Sequence, residues 1–428
     1  MPRTIGVTLL ALALAAGVPG TAAASPSAES SSVATVHAQA DGIPGRYIVI
    51  LKETATREGA DEDVTRAAVE RASAQGAVVH HVYHYALQGY AATMSPRTAA
   101  TLAQDPAVQL VQQDRVVRAT AQSVPTGVDR VDADRSPTAA IDGRDTRVNA
   151  DVAVLDTGID PSHPDLNVYR AGGTNCWMPG LPTSDWHGHG THVAGTIGAL
   201  DNNTGVVGVA PGARLWPVQV LSPWGTGSTS SVVCGIDYVT RNADRIDVAN
   251  MSLGGAGTDD GNCGRTNQDA MHQAICASVA RGVTYAVAAG NSHADARSTV
   301  PAAYDEVITV SALADFDGKP GGLSGPTCRA DQDDTFADFS NYGADIDLIA
   351  PGTCIRSTYL NGGYATMSGT SMAAPHVAGG AALYRATHPT ASPATVKAAL
   401  RAAGSLNWSW PSQDGDAVKE RLLNVSPF

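Results

Sequence analysis

The stretch Asp151-Val152-Ala153-Val154-Leu155-Asp156-Thr157-Gly158 contains an uninterrupted apolar run that ends in an acidic residue and a glycine turn. A strand that is buried on both faces of a parallel sheet has this character. Similar apolar runs recur at residues 215–221, 247–251, 284–288 and 307–310. We therefore expect five buried strands in this part of the chain.

Helical patterns lie between these runs, at Ser230–Thr240 and Gln268–Arg281. Strands that alternate with helices predict an α/β domain with one central, mostly parallel sheet. Polar or glycine-rich residues follow the strands at 156–158, 252–255 and 289–291. Because sites in open parallel sheets form beyond the carboxyl ends of the strands, we expect the chemistry to gather there.

The composition is that of a soluble globular protein. The chain has 428 residues, of which 43% are hydrophobic and 16% are charged, and its net charge is −13. This length has room for roughly two or three folding units. No strong basic patch interrupts the acidic balance, so nucleic acid is not an expected partner.

The N-terminus has the pattern of an export signal. Arg3 precedes an apolar run from Ile5 to Val18, and small residues follow up to Ser25. The run is shorter than the roughly 20 residues that cross a bilayer, which favours a signal peptide cleaved after Ala24 over a membrane anchor. We therefore expect a secreted, extracellular protein without a membrane anchor after this cleavage.

A small α+β unit is predicted next, after a Ser-, Ala-, Gly- and Pro-rich segment at 25–45 that has a disordered composition. Its strands are expected at residues 47–51, 78–83 and 90–94, and its helices at 62–75 and 97–104.

All the cysteines lie beyond residue 170, namely Cys176, Cys234, Cys263, Cys276, Cys328 and Cys354. An even number in an exported chain favours disulfides, but the sequence alone does not choose among their pairings. No Cys-x-x-Cys spacing indicates zinc.

The triplet Asp156-Thr157-Gly158 is ambiguous by itself. Aspartic proteases use such a triplet, but they need two aspartates that share a proton. No second Asp-Thr-Gly or Asp-Ser-Gly occurs, which excludes a bilobal aspartic protease. A homodimeric aspartic protease and an aspartate that caps a turn remain open at this point.

The cluster His187-Gly188-His189-Gly190-Thr191-His192 has two interpretations. Its spacing is similar to a zinc-binding run. Alternatively, one catalytic histidine stands at the start of a helix that begins near Gly190, and His192 is a structural histidine in the apolar helix that follows.

The stretch from Ser368 to Gly379 places Ser371 between a glycine turn and a run of small, apolar residues that predicts a buried helix. Pro375 is tolerated only near the first turn of such a helix. A serine at a helix N-terminus lies where the backbone dipole favours a developing negative charge, although it could also be an ordinary N-cap. A lipase or esterase elbow would need glycine where Ala373 stands.

Three segments, 154–160, 189–195 and 369–376, resemble the motifs of the subtilisin (subtilase) superfamily and occur in its order of Asp, His and Ser. The resemblance extends over residues 121–428. It implies a subtilisin-like three-layer α/β domain and a monomeric serine endopeptidase that acts on proteins and peptides. The alternative is a catalytically inactive subtilase that acts as a binding protein, against which the complete set of motif residues argues.

The resemblance also assigns roles to these residues. Ser371 would be the nucleophile, His189 the general base, and Asp156 the group that orients the imidazole. Asn291 would donate to the oxyanion together with the backbone N–H of Ser371. His187 lies outside the family motif and is not expected to be the base.

Two segments resemble the family's substrate-binding stretches, namely Gly225-Thr226-Gly227 and Ser252-Leu253-Gly254. They would pair with an extended peptide as β-strands. Ordinary glycine-rich turns are the alternative interpretation.

Calcium is the cofactor that the resemblance implies, bound by oxygen ligands. The strong site would use the side chains of Gln122, Asp165 and Asn202 and the carbonyls of Leu200, Thr204 and Val206. A second, weaker site would use Asp347 and the carbonyls of Asp305 and Val307. This second site resembles the proteinase K branch, so the chain mixes features of two branches.

The cysteines do not follow the proteinase K pattern. Short intervening loops favour Cys263–Cys276 and Cys328–Cys354, which leaves Cys176–Cys234.

The unit at 46–119 resembles the family's inhibitory propeptide, a small ferredoxin-like fold that would inhibit its own protease domain. The implied organisation is a signal peptide at 1–24, a propeptide at 25–120 and a catalytic domain at 121–428. Self-cleavage is expected between Thr120 and Ala121.

Overall fold

The computed structural model describes residues 36–37, 42–52, 60–115, 122–409 and 414–428. The chain divides into two compact units after residue 118. Within the described residues, no helix has the length and apolar character needed to cross a membrane. The predicted signal peptide and the predicted cleavage bond at Thr120–Ala121 lie outside the described residues.

The first unit is a five-stranded sheet with two helices, in the strand order β1-β5-β2-β4-β3. Its strands are β1 (Val36–His37), β2 (Gly42–Leu51), β3 (Val78–Tyr83), β4 (Gly89–Thr93) and β5 (Val108–Arg115), and its helices are α1 (Ala60–Ala74) and α2 (Pro96–Leu102). Neighbouring strands are antiparallel except for β1 and β5. The predicted helices and three predicted strands are present, while β1 and β5 were not predicted.

The second unit contains the remaining elements. Its strands are β6 (Asp151–Asp156), β7 (Thr174–Asn175), β8 (Arg214–Gln219), β9 (Val248–Met251), β10 (Gly255–Ala256), β11 (Thr284–Ala288), β12 (Thr299–Val300), β13 (Ile308–Ala314), β14 (Thr335–Phe336), β15 (Leu348–Pro351), β16 (Ile355–Tyr359) and β17 (Gly363–Met367). Its helices are α3 (Thr126–Arg130), α4 (His189–Gly198), α5 (Thr229–Arg241), α6 (Ala270–Val279), α7 (Thr370–Thr387) and α8 (Pro393–Ala403).

An eight-stranded sheet forms the centre of this unit. Seven of its strands, in the order β15-β13-β11-β9-β6-β8-β7, are paired in parallel. The eighth, β14, is antiparallel to β13. The five predicted apolar runs are its central strands, so the predicted mostly parallel α/β sheet is confirmed.

Both faces of this sheet are covered by helices. Val152 and Val154 of β6 belong to one buried cluster with residues of α4 and α7. Ala153 and Leu155 belong to a second cluster with residues of α5 and α6. Because successive side chains of a strand point to opposite faces, this alternation shows a three-layer arrangement.

Three disulfides stabilise the loops of the second unit. Cys176–Cys234 connects the end of β7 to α5, with a Cα–Cα distance of 5.8 Å. Cys263–Cys276 and Cys328–Cys354 close shorter loops, at 5.9 and 5.8 Å. The two short-loop pairs are those that the loop lengths favoured, and Cys176–Cys234 is the pair that this choice left.

Candidate active site

Asp156 is the last residue of β6, at the carboxyl edge of the sheet, and its side chain is 0% exposed. Its two carboxylate oxygens lie 2.8 and 2.9 Å from Nδ1 of His189. The backbone N–H of Thr157 donates to Oδ1 at 2.7 Å. The buried carboxylate therefore faces one ring nitrogen of one histidine.

Gly190 allows this close approach of strand and helix. A Cβ at this position would lie 2.1 Å from the carbonyl oxygen of Gly158 and 3.1 Å from Cβ of Asp156. Any larger residue would push the start of α4 away from β6.

His189 is the first residue of α4, and its side chain is 16% exposed. Burial disfavours the imidazolium, but the charge and hydrogen bond of Asp156 and the charge of Asp185 outweigh it, so the pKa of His189 is raised. Since Nδ1 is held by Asp156, Nε2 is the nitrogen left for proton transfer.

Asp185 organises the turn before His189, and the sequence analysis did not single it out. Its Oδ1 accepts hydrogen bonds from the Thr157 hydroxyl and from the N–H groups of His187 and Gly188. Its Oδ2 accepts from the N–H and hydroxyl of Thr191. One buried carboxylate thus fixes both the loop after Asp156 and the first turn of α4.

The β16–β17 hairpin supports the same helix. Ser357 and Thr358 of β16 donate through their hydroxyls to the carbonyls of His192 and Thr191, each at 2.7 Å. The hydroxyl of Tyr359 donates to the carbonyl of His187 at 2.9 Å.

The histidine cluster does not form a metal site. Nε2 of His192 contacts the carbonyls of Ile355 and Ala365, and burial lowers the pKa of His192 to about 4. His192 is therefore a neutral, structural histidine. Among the described residues, the three histidines are not a group whose ligand atoms converge, so the zinc interpretation is wrong.

Ser371 is the second residue of α7 and lines the same cleft as His189. Its hydroxyl donates to the carbonyl of Ser252 at 3.3 Å rather than to His189. Catalytic hydrogen bonds are often long or misaligned in the absence of substrate, so this rotamer is compatible with a nucleophile.

Pro375 is the sixth residue of α7, further into the helix than the sequence analysis expected. Because proline has no N–H, the carbonyl of Ser371 lacks its usual helical donor. The hydroxyl of Ser252 donates to this carbonyl at 2.7 Å. Ser252 and Ser371 therefore form a reciprocal pair, in which each hydroxyl faces the other residue's carbonyl.

Asn291 is oriented by the residue before the serine. Its Oδ1 accepts from the N–H and the hydroxyl of Thr370, at 2.8 and 2.9 Å. The amide Nδ2 is consequently on the side away from Thr370 and can donate to a ligand. Asn291 and Ser371 line one cavity of about 410 Å³.

Asn341 holds the loop that carries Asn291, and it was also missed. Its buried Oδ1 accepts from the N–H groups of Ser292 and Ala294, and its Nδ2 donates to the carbonyl of Ala289. The only local sign of this role in the sequence is that two polar residues, Ser340 and Asn341, stand next to each other before Tyr342.

The two predicted substrate segments line a cleft of about 570 Å³ that contains His189 and Ser371. Residues 225–227 are exposed. In the second segment Ser252 is buried, Leu253 is half-buried and Gly254 is exposed. Both segments are loops, and Gly225 lies in a turn in which its N–H donates to the carbonyl of Ser222. Exposed backbone beside a cleft is available to pair with an extended peptide.

The predicted strong calcium ligands converge from three segments. Oε1 of Gln122 accepts from the N–H groups of Asn202 and Asn203, and Nδ2 of Asn202 donates to Oδ1 of Asp165 at 2.9 Å. The carbonyl-bearing residues Leu200, Thr204 and Val206 belong to the same loop.

Asp165 carries the negative charge of this group. Its burial raises the pKa to about 6, although hydrogen bonds from Val206, Tyr364 and Asn202 act in the opposite direction. In this structure the carboxylate accepts from Nδ2 of Asn202, the N–H of Val206 and the hydroxyl of Tyr364. A buried carboxylate next to a loop that carries carbonyl and amide oxygens supplies the kind of ligand that a hard cation such as calcium takes.

The second predicted cation site is occupied by a lysine of the chain itself. Nζ of Lys397, from α8, donates to the carbonyls of Asp305 and Val307 at 3.1 and 2.8 Å and lies 2.7 Å from a carboxylate oxygen of Asp347. The three expected ligands are brought together, but around an ammonium. The prediction of a calcium ion there is therefore wrong, because Lys397 supplies the positive charge.

Comparison with known proteins identifies relatives of both units. A sequence model of the subtilase family matches residues 149–417, and one of the peptidase inhibitor I9 family matches residues 46–120. An extracellular serine proteinase of Thermus sp. (strain Rt41A) is 38% identical over 412 residues, covering 91% of each chain. Subtilisin NAT of Bacillus subtilis subsp. natto is 38% identical over 357 residues, covering 82% of this chain and 83% of its own.

A solved structure is similar as well. The crystal structure of a cold adapted subtilisin-like serine proteinase aligns with a TM-score of 0.55 and 32% identity, and it covers 71% of this chain and 97% of its own.

Proposed function

Because the chain belongs to the subtilase family and is a subtilisin-like serine endopeptidase made with a propeptide, we propose that Asp156, His189 and Ser371 are its catalytic residues. The observation that carries this assignment is the buried Asp156 carboxylate within hydrogen-bond distance of Nδ1 of His189, in a cleft that also contains Ser371.

In the proposed reaction, Oγ of Ser371 attacks the carbonyl carbon of the scissile peptide bond while Nε2 of His189 accepts the hydroxyl proton. The imidazolium then gives that proton to the leaving amine, which breaks the C–N bond and leaves an acyl-enzyme. Water hydrolyses the acyl-enzyme by the same sequence of proton transfers. Asp156 stabilises the imidazolium in both halves, which its effect on the pKa of His189 supports.

The tetrahedral intermediates carry an oxyanion that Nδ2 of Asn291 and the N–H of Ser371 would bind. The hydrogen bonds from Thr370 to Oδ1 of Asn291 support this role, because they direct the amide nitrogen toward the cavity shared with Ser371. In a subtilisin, removal of the asparagine donor costs about 3 kcal/mol of transition-state stabilisation.

The proposed substrates are proteins and peptides in an extended conformation. Residues 225–227 and 252–254 would pair with the substrate backbone on two sides. Main-chain pairing is indifferent to sequence, so selectivity would come from the side chains that line the cleft.

The proposed maturation step is cleavage by the enzyme of its own Thr120–Ala121 bond. The match of the inhibitor family ends at residue 120, which supports this position. The propeptide would inhibit the protease domain until it is removed. We further propose that the processed enzyme is extracellular, like the extracellular serine proteinase of Thermus. We also propose that it acts as a monomer.

A calcium ion is proposed at Gln122, Asp165, Leu200, Asn202, Thr204 and Val206. It would supply no catalytic step. Its positive charge would neutralise Asp165 and hold together segments that are distant in sequence.

The test is the precursor with Ser371→Ala, made without other proteases. It should cleave no casein, should not react with a fluorophosphonate probe, and should keep its propeptide. Ser392→Ala is the matched control, since Ser392 caps α8 and lines no part of the cleft. Labelling or casein cleavage that persists in Ser371→Ala would contradict the proposed nucleophile, and full processing would assign maturation to another protease.

A further inference from the structure

A loop near the C-terminus of the second unit gathers three carboxylates. Asp414, Asp416 and Glu420 each place a carboxylate oxygen within 4.8 Å of the others. They come from one short stretch with the spacing Asp-x-Asp-x-x-x-Glu. None of them belongs to the catalytic cleft or to the proposed calcium site at Asp165.

Glu420 is unusual within this group because it is only 4% exposed. Neither of its carboxylate oxygens has a hydrogen-bond partner in the part of the chain that the structure describes. The buried carboxylates of Asp156, Asp165 and Asp185 all accept hydrogen bonds. A buried carboxylate without a partner is strongly unfavourable unless a cation or a proton joins it.

The neighbouring basic side chains do not supply that cation. Nζ of Lys419 donates to the carbonyl of Trp408 at 2.7 Å and lies over the indole ring, 5.1 Å from its centroid. The guanidinium of Arg421 donates to the carbonyl of Gly404. Burial, together with the charges of Asp414 and Asp416, raises the pKa of Glu420 to about 8.

A second acidic cluster, Asp315, Asp317 and Asp333, shows the contrast. There the guanidinium of Arg130 lies 2.9 Å from Asp315, and a backbone N–H donates to Asp333 at 2.8 Å. That cluster has an internal cation, whereas within the described residues no basic side chain forms an ion pair with Glu420 and its carboxylate oxygens accept no hydrogen bond.

We propose that Asp414, Asp416 and Glu420 bind a calcium ion. The donor set contains only oxygens, which calcium prefers and which softer metals do not select. The loop is also fixed in place, because Gly415 packs so closely on Tyr342 that a Cβ would lie 2.1 Å from its ring.

The ion would stabilise the docking of the C-terminal segment. Two residues after Glu420, Leu422 pairs with Ile349 of β15 and with Ser405. Trp408 donates through Nε1 to the carbonyl of Glu420 at 2.9 Å. Binding at the loop therefore acts directly on chain that is attached to the edge of the central sheet.

The test uses the full Ser371→Ala precursor, which avoids autolysis, after removal of metal with EDTA. Bound calcium is counted by equilibrium dialysis against calcium alone, and terbium luminescence is excited through tryptophan. The test variants are Glu420→Gln and Asp416→Asn. Asp237→Asn is the matched control, since it removes one exposed carboxylate from α5, and Asp165→Asn removes the other proposed site.

We expect both test variants to bind one calcium ion fewer than the parent, while Asp237→Asn binds as many. The terbium emission sensitised by Trp408 should fall in Glu420→Gln and in Trp408→Phe. The melting temperature of Glu420→Gln should rise less on addition of calcium than that of the parent, because the substitution removes a ligand.

Equal calcium stoichiometry in the parent and both test variants would overturn the proposal, even if Asp165→Asn has lost an ion. If Glu420→Gln has no cooperative melting transition, the count for Asp416→Asn decides alone, since that side chain is less buried and its loss is easier to accommodate.

Discussion

Replacement of Lys397 by methionine should convert an internal cation site into a calcium site. The ammonium holds the Asp347 carboxylate and the carbonyls of Asp305 and Val307. Methionine keeps most of the side-chain volume but leaves these oxygens without a positive charge. We expect the variant to lose stability in EDTA and to regain part of it in calcium.

The size of the loss follows from burial. Asp347 is 8% exposed and Lys397 is 23% exposed, so the pair is mostly desolvated. Removal of one partner from a buried ion pair costs about 3–5 kcal/mol. In the variant Arg401 remains 3.4 Å from Asp347 and still partly compensates its charge, although the Arg401 side chain is half-exposed. We therefore expect a loss of about 2–4 kcal/mol.

The corresponding change in melting temperature can be worked out from the size of the unit. An unfolding entropy of about 2.1 cal/mol/K per residue over roughly 300 residues gives about 0.6 kcal/mol/K. A loss of about 3 kcal/mol then lowers the melting temperature by about 5 °C. Calcium at tenfold excess over its Kd would return about 1.4 kcal/mol, or about 2 °C.

The assay is thermal unfolding of the Ser371→Ala precursor with and without Lys397→Met, in EDTA and over a calcium series. Arg401→Met is the control, because it removes the weaker partner and leaves the ammonium in place. The reasoning is refuted if Lys397→Met melts like its parent in EDTA, or if calcium raises the melting temperature of both proteins equally.

Three further predictions concern the site and its supports. The activity (kcat/KM) should fall as the pH drops through the raised pKa of His189, because the imidazolium cannot accept a proton. Asp156→Asn removes the carboxylate that raises this pKa. In this variant the loss of activity at low pH should begin at a lower pH than in the parent, and kcat should fall by about 10⁴-fold. Asp185→Asn places amide hydrogens against N–H and O–H donors, so it should lower the free energy of unfolding by about 2–3 kcal/mol. It should also reduce kcat more than it raises KM. The control Asp237→Asn should change neither the free energy of unfolding nor the kinetic constants. Removal of the Cys176–Cys234 disulfide, which spans 58 residues, should lower the free energy of unfolding by up to about 4 kcal/mol in denaturant titrations. Removal of Cys263–Cys276, which spans 13 residues, should lower it by about 3 kcal/mol. A larger effect of the shorter loop would contradict this order.

The buried strands of the central sheet could be predicted from the sequence because their apolar runs are continuous. The predicted strand at 284–288 has the bounds of β11, and the others differ by a few residues. The pattern of β5 is weaker, since its apolar residues Val108, Leu110 and Val111 are followed only by polar residues up to Arg115. Two-residue strands such as β7 and β10 exist only through their pairing partners, which a local pattern does not reveal.

The β16–β17 hairpin was missed although Asn361-Gly362 stands between its strands, and that dipeptide is a strong turn signal. Asp185 and Asn341 were missed for a different reason. Each works through hydrogen bonds to backbone groups that are adjacent only after folding. Lys397 reaches its carbonyl partners across about 90 residues of chain, so a ligand set inferred from a resemblance could not reveal it.

The hydroxyls of Ser252 and Ser371 each donate to the other residue's carbonyl. This pairing couples the opening of the chain at Ser252 to the opening of the first turn of α7. If the chain at Ser252 moves away from α7, the carbonyl of Ser371 is left without a donor, because Pro375 has removed the helical one. The end of the strand β9 and the first turn of α7 should therefore open and close as one cooperative unit. Native-state hydrogen exchange would show this as a shared opening free energy for amides on both sides. In Ser252→Ala the two sets of amides should become unequal, with the helix start exchanging first.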